Sequence, residues 1–152
     1  MCVKIGQHSP TAVPTRQDVL VGGVEVSVCD LGGHRQARRV WGDYCLNTGG
    51  IVFMVDTTDT ARLGEAGAEL RGLVDSLEQM RERKERIPIL VMGNKADHPL
   101  AVSETVLVQQ LGIYQVRRHL YISLNILTLL DVGELSHHAS VHGVRREECW
   151  SG

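Results

Sequence analysis

The sequence predicts an α/β domain, and three observations carry the prediction. Two continuous apolar runs, Ile51–Val55 and Ile89–Met92, have the length and β-branched content of buried strands. Between them, Leu63, Ala66, Leu70, Leu73, Leu77 and Met80 recur at helical spacing. Upstream, Val19–Val21 and Val24–Cys29 flank Gly22-Gly23, a hairpin signal in which the glycines supply the positive φ of a tight turn.

Each element has a local reason. Residues 1–18 are polar, contain Pro10 and Pro14, and read as loop. In the hairpin's second strand Val24, Val26 and Val28 alternate with Glu25 and Ser27, so it is expected to be half exposed. The continuous strands are expected in a parallel sheet covered on both faces. The helix between them spans roughly Arg62–Arg86 and ends in the mixed-charge run Arg81–Arg86, which reads as a solvated last turn. A shorter helix runs over Ser103–Leu111, with Ser103 as N-cap and Gly112 as its stop. Leu120–Leu130 is expected as a strand or short helix, and is too short an apolar run to span a bilayer, which takes about 20 residues.

Composition bounds the function. The chain has 152 residues, 43% hydrophobic and 22% charged, enough for one domain with a real core. A net charge of −2, from 16 basic and 18 acidic residues, argues against a domain that grips nucleic acid phosphates. With two Trp, three Tyr and one Phe, the core must be aliphatic. Cys2, Cys29, Cys45 and Cys149 form no C-x-x-C pair and suggest no disulfide framework, so a reducing compartment is expected. No signal peptide is visible at Met1–Lys4. His137, His138 and His142 do not make a convincing metal site even with Cys149.

Two segments carry chemistry, both at the carboxyl ends of expected strands, where open α/β sheets bind ligands. Asp30-Leu31-Gly32-Gly33 is a D-x-x-G: its carboxylate can sit near Mg²⁺ through water, and its glycine lets a backbone N–H approach a terminal phosphate. Asn94-Lys95-Ala96-Asp97 is an N-K-x-D. Asp97 can accept from the guanine N1–H and exocyclic amine, the Lys95 stem can lie over the base, and the Asn94 side chain can tie the loop. Taken alone, Thr11 reads as a solvated turn threonine; ahead of these two motifs it reads as a Mg²⁺ ligand. Taken alone, His34 reads as a solvated loop residue.

The segment Asp30–Trp41, Asp-Leu-Gly-Gly-His-Arg-Gln-Ala-Arg-Arg-Val-Trp, closely resembles switch II of the Sar family, the small GTPases of the Arf superfamily that start COPII vesicle budding at the endoplasmic reticulum. The resemblance continues through Gly50–Asp56 and Pro88–Asp97, and Gly6–Thr15 is similar to the family's switch I. In all it covers Gly6–Tyr114, with Gln79–Arg86 longer than usual. It implies a P-loop NTPase-like, Ras-like fold, a mostly parallel sheet with flanking helices. It implies Thr11 as Mg²⁺ ligand, Asp30 holding the metal through water, and Gly33 sensing the γ-phosphate. His34 would orient the attacking water, and Asn94, Lys95 and Asp97 would read guanine. The implied cofactors are GTP/GDP and Mg²⁺. The implied partners are COPII inner-coat subunits, one supplying an arginine, a membrane-bound exchange factor, and the membrane surface. The implied location is the cytoplasmic face of the endoplasmic reticulum and Golgi, and the cytosol; no nucleic acid partner is expected.

The sequence also departs from that pattern. No Gly-x-x-x-x-Gly-Lys-Ser/Thr occurs among the 152 residues, so the phosphate-cradling loop, and the first strand that precedes it, are expected to be lacking. The family's amphipathic anchor helix has no counterpart. Residues 1–114 therefore read as an incomplete GTPase core and 115–152 as a divergent C-terminal tail, as from a truncated or mis-spliced gene. The expectation is a Sar-type switch with weak or absent GTP binding and low stability. Two alternatives stand beside it. One is a nucleotide-independent coat-interaction module presenting Arg35, Arg38 and Arg39 on a helix over His34–Leu46; the other is a non-functional truncated product.

Overall fold

The computed structural model describes residues 11–45, 48–79, 87–116 and 122–126. The chain divides into two compact units, Met1–Asn47 and Thr48–Gly152. Gly6–Pro10, the charged run 81–86, His137, His138, His142 and the tail beyond 126 lie outside the described residues.

The first unit is built on a hairpin. Strand β1 (Thr15–Val21) pairs antiparallel with β2 (Val24–Asp30), in a register running from Thr15↔Asp30 to Val21↔Val24. Gly22 and Gly23 have φ of 56° and 82°, the two positive values of a type I′ turn, whose twist matches that of the strands. The expected turn is thus observed, but the first strand is longer than the apolar pattern suggested. Thr15–Asp18 belong to β1 and not to a loop. Both strands are largely exposed in this unit, so the backbone ladder rather than a buried face decides where β1 begins. After β2 the chain forms a 3-10 turn, Ala37–Val40, and a short helix α1 (Trp41–Cys45), replacing the continuous helix expected over His34–Leu46.

The second unit is a parallel sheet of strand order β3-β4-β5. Its members are β3 (Ile51–Asp56), β4 (Ile89–Asn94) and β5 (Ile122–Ile126). Register runs Ile51↔Ile89↔Ile122 through Val55↔Gly93↔Ile126. A 3-10 turn at Thr60–Arg62 leads into α2 (Leu63–Gln79), the crossover helix; α3 (Glu104–Leu111) and α4 (Ile113–Val116) follow β4. Ser103 accepts from the Val106 N–H as N-cap, and Gly112 closes α3 at φ 66°, both as the sequence predicts. Strands β2 and β3 belong to separate sheets.

Core positions follow the strand alternation. Phe53, Val55, Ile89 and Val91 are buried, with Leu63, Leu70, Leu73 and Val74 of α2 and Leu107 and Leu111 of α3. Each such side chain contributes roughly 1.5–3 kcal/mol on burial. Gly67 allows α2 and α3 to touch: a Cβ there would lie 2.9 Å from the Gln110 carbonyl oxygen and 3.0 Å from Leu111 Cα. The expectation of cover on both faces does not hold for β3. Val52 and Met54, alternating with its buried residues, are 57% and 55% exposed, although the run Ile-Val-Phe-Met-Val is continuously apolar.

Candidate functional site

In the first unit, chemistry gathers where β2 ends. The Thr11 hydroxyl donates to Asp30 Oδ2 at 2.8 Å, so the two oxygen-bearing residues singled out in the sequence stand side by side. The glycines after Asp30 play different parts. A Cβ on Gly32 would collide with the Thr11 carbonyl oxygen and come within 2.8 Å of Ala37 Cβ, while a Cβ on Gly33 would meet nothing within 4 Å. Gly32 therefore permits the Thr11 segment to pass, and Gly33 borders open space.

His34 is exposed and has two local partners. Its carbonyl accepts from the Arg38 N–H at 3.1 Å, and its ring Nδ1 accepts from the Ala37 N–H at 3.2 Å. A neutral imidazole that accepts at Nδ1 carries its proton on Nε2, so the free side of the ring is a donor. Arg38 departs from expectation. It is half-buried rather than exposed, and its Nε donates to the Gly33 carbonyl at 2.7 Å. Arg35 and Arg39 are exposed, as expected. Trp41 Nε1 donates to the Gly32 carbonyl at 3.1 Å, tying α1 back onto the glycine pair.

In the second unit, Asn94, Lys95 and Asp97 lie at the carboxyl end of β4, as the motif position predicts. The Asn94 side chain accepts from its neighbour's N–H, Lys95 N to Asn94 Oδ1 at 2.9 Å. Lys95 has φ 61°, a left-handed conformation uncommon for a side chain of its size. Its carbonyl accepts from the His98 N–H at 3.0 Å, closing the turn. Asp97 is exposed.

Sequence reading missed what holds this loop, the segment Asp56-Thr57-Thr58 at the end of β3. Thr57 is fully buried; its N–H and its hydroxyl both donate to the Asn94 carbonyl, at 3.1 Å and 2.8 Å, and its own carbonyl accepts from Val102 N–H at 3.0 Å. Asp56 Oδ2 receives Lys95 Nζ at 2.6 Å, and Asp56 Oδ1 receives the Thr58 N–H and hydroxyl at 2.9 Å and 2.6 Å. Burial alone would raise the Asp56 carboxyl; hydrogen bonds from Lys95 and Thr58 outweigh it and bring the pKa down to about 2. The hydrogen bond to Asp56 raises Lys95 above its ordinary value. The available signal was a carboxylate and two hydroxyls directly after an apolar strand, in the same position in β3 that Asn94 holds in β4.

No cluster of three or more His, Cys, Asp or Glu side chains gathers among the described residues. No described helix is long and apolar enough to cross a membrane.

The chain matches the model of the ADP-ribosylation factor family over residues 2–134. It is 39% identical over 105 residues to the small COPII coat GTPase SAR1 of Giardia intestinalis, covering 69% of this chain and 52% of that protein. It is 32% identical over 118 residues to ADP-ribosylation factor-like protein 8c of Arabidopsis thaliana, covering 75% and 61%. It thus spans little more than half the length of these relatives. Among solved structures it resembles the small GTPase Arl6 BBS3 of Trypanosoma brucei with the bound nucleotide analogue GppNp. The TM-score is 0.71 and the identity 25%, over 82% of this chain and 74% of the other.

Proposed function

The chain belongs to the ADP-ribosylation factor family, and from that premise we propose that it is a Sar-type guanine-nucleotide switch whose nucleotide grip is weakened. The fold is the Ras-like, P-loop NTPase-like one, a parallel sheet with flanking helices. One observation carries the reading: the N-K-x-D loop at the end of β4 is held at Asn94 and at Lys95 by the end of β3. That loop offers Asp97 as an exposed carboxylate for the guanine N1–H and exocyclic amine. Adenine, with a different edge, would leave it unpaired.

The residues at the end of β2 supply the phosphate side of the reading. Thr11 and Asp30, a hydroxyl and a carboxylate 2.8 Å apart, are the hard oxygen donors that suit Mg²⁺. Thr11 would hold it directly and Asp30 through water; when bound, the ion neutralises charge on the nucleotide's phosphates. Gly33, bordering open space, leaves its N–H free of a side-chain screen toward a γ-phosphate. His34 presents Nε2–H as a donor that orients the attacking water. For these 152 residues the weaker grip would lie at the β-phosphate, since they include no Gly-x-x-x-x-Gly-Lys-Ser/Thr to cradle it.

The likeness to SAR1 supports a Sar-type role in COPII coat recruitment for endoplasmic reticulum to Golgi transport. The partners would be inner-coat subunits and a membrane-bound exchange factor at the cytoplasmic face of those membranes. The test is titration with fluorescent GTP, GDP and ATP analogues. We expect weak binding with a preference for guanine. Submicromolar GTP affinity would refute the weakened grip, and equal affinity for adenine would refute the guanine reading. A second reading rests on the exposed Arg35 and Arg39, which can dock on a coat subunit without nucleotide. Capture of coat proteins that is indifferent to GTP or GDP would favour it.

A further inference from the structure

We infer that Asp56 is a positioning residue for Lys95, stretching the lysine stem into a preformed platform for a planar purine base. The inference rests on the guanine-nucleotide reading of this loop.

Lys95 is fixed at both ends. At its backbone, φ 61° is held by Lys95 N–H to Asn94 Oδ1 at 2.9 Å and by His98 N–H to the Lys95 carbonyl at 3.0 Å. At its tip, Nζ lies 2.6 Å from Asp56 Oδ2. The carboxylate that receives it is itself oriented, because Thr58 donates twice to the other oxygen. Below this pair, fully buried Thr57 locks the Asn94 carbonyl to the end of β3. The chain of contacts runs from the buried Thr57 at the end of β3 to the Lys95 ammonium. What lies between is an apolar methylene stem.

Stability does not account for the arrangement. The Lys95 side chain is 54% exposed and that of Asp56 36%, and an ion pair this accessible adds little to folding. Its effect is on order: a lysine confined on folding has less rotamer freedom to lose when a base settles on it, so binding is favoured by preorganisation. Asp56 need not touch the nucleotide to do this.

A double-mutant cycle on the 152-residue chain tests the inference, with affinity for a fluorescent GDP analogue as readout and thermal midpoint in parallel. Asp56→Asn and Lys95→Met should each weaken binding roughly tenfold, and the double variant should be no weaker than either single. A merely structural Asp56 would lower affinity equally in the Lys95→Met background. Losses that multiply, or an Asp56→Asn variant that binds like the parent while Lys95→Met does not, overturn the inference. If Asp56→Asn does not fold, Thr58→Val, which frees Asp56 Oδ1 of one donor, takes its place in the same cycle. A parent chain without preference for guanine over adenine overturns the underlying reading, and this inference with it.

Discussion

Thr57 donates twice to a single oxygen, the carbonyl of Asn94, through its N–H at 3.1 Å and its hydroxyl at 2.8 Å. This joins the ends of two neighbouring parallel strands at the point where each becomes a loop. Replacing Thr57 by Val keeps the shape and the N–H but deletes the hydroxyl. We expect a loss of about 1 kcal/mol, read by urea denaturation as a lower midpoint with unchanged slope.

The two glycines after Asp30 should separate in their tolerance. Gly32→Ala drives a methyl against the Thr11 backbone and Ala37, and should cost roughly 1–3 kcal/mol. Gly33→Ala meets open space and should leave the unfolding midpoint close to that of the parent. Equal midpoints for the two variants would contradict the placement of Thr11 beside Gly32.

Acid should weaken the loop at the end of β3 in a defined window. The Asp56 carboxyl falls from 3.8 to about 2 on folding, so its contribution is complete above pH 4 and disappears as pH drops toward 2. Lys95 is shifted the other way, so its part is complete below its unfolded pKa and fades only in strong alkali. At 36% exposure the Asp56 side chain contributes less than about 1 kcal/mol. Asp56→Asn should flatten the acid limb of a stability–pH curve between pH 4 and 2 and leave pH 6–8 nearly unchanged.

Thiol labelling should distinguish two cysteines. Burial raises the Cys45 thiol, whereas Cys29 on β2 is exposed. Since the thiolate is the reacting form, a disulfide reagent should modify Cys29 in native protein and Cys45 only after unfolding. Peptide mass mapping over a denaturant series checks the order; simultaneous labelling would place Cys45 at the surface.

What could be read from sequence was what obeys local rules. Gly22-Gly23, Ser103 and Gly112 each answer a backbone requirement within a few residues, and all three are observed. The positions of Asp30 and Asn94 at strand ends were equally legible, because an alternating strand pattern ends at Asp30 and a continuous apolar run ends just before Asn94. The hidden features are those settled by distant partners. Thr15–Asp18 became strand only because β2 offers them a ladder. Thr57 and Asp56 support residues 37 and 39 positions away, a relation no spacing rule encodes. Arg38 turned inward to a carbonyl five residues back, which charge patterning reads as an exposed cation.

The alternation along β3 has a consequence for handling the protein. Val52 and Met54 lie beside Leu90 and Met92 in the parallel register, an apolar stripe on the face opposite Phe53 and Val55. Two of its members are more than half exposed. Exposed apolar surface of that kind favours association between copies. Association between copies should follow: light scattering should rise with concentration, and Met54→Lys should delay it.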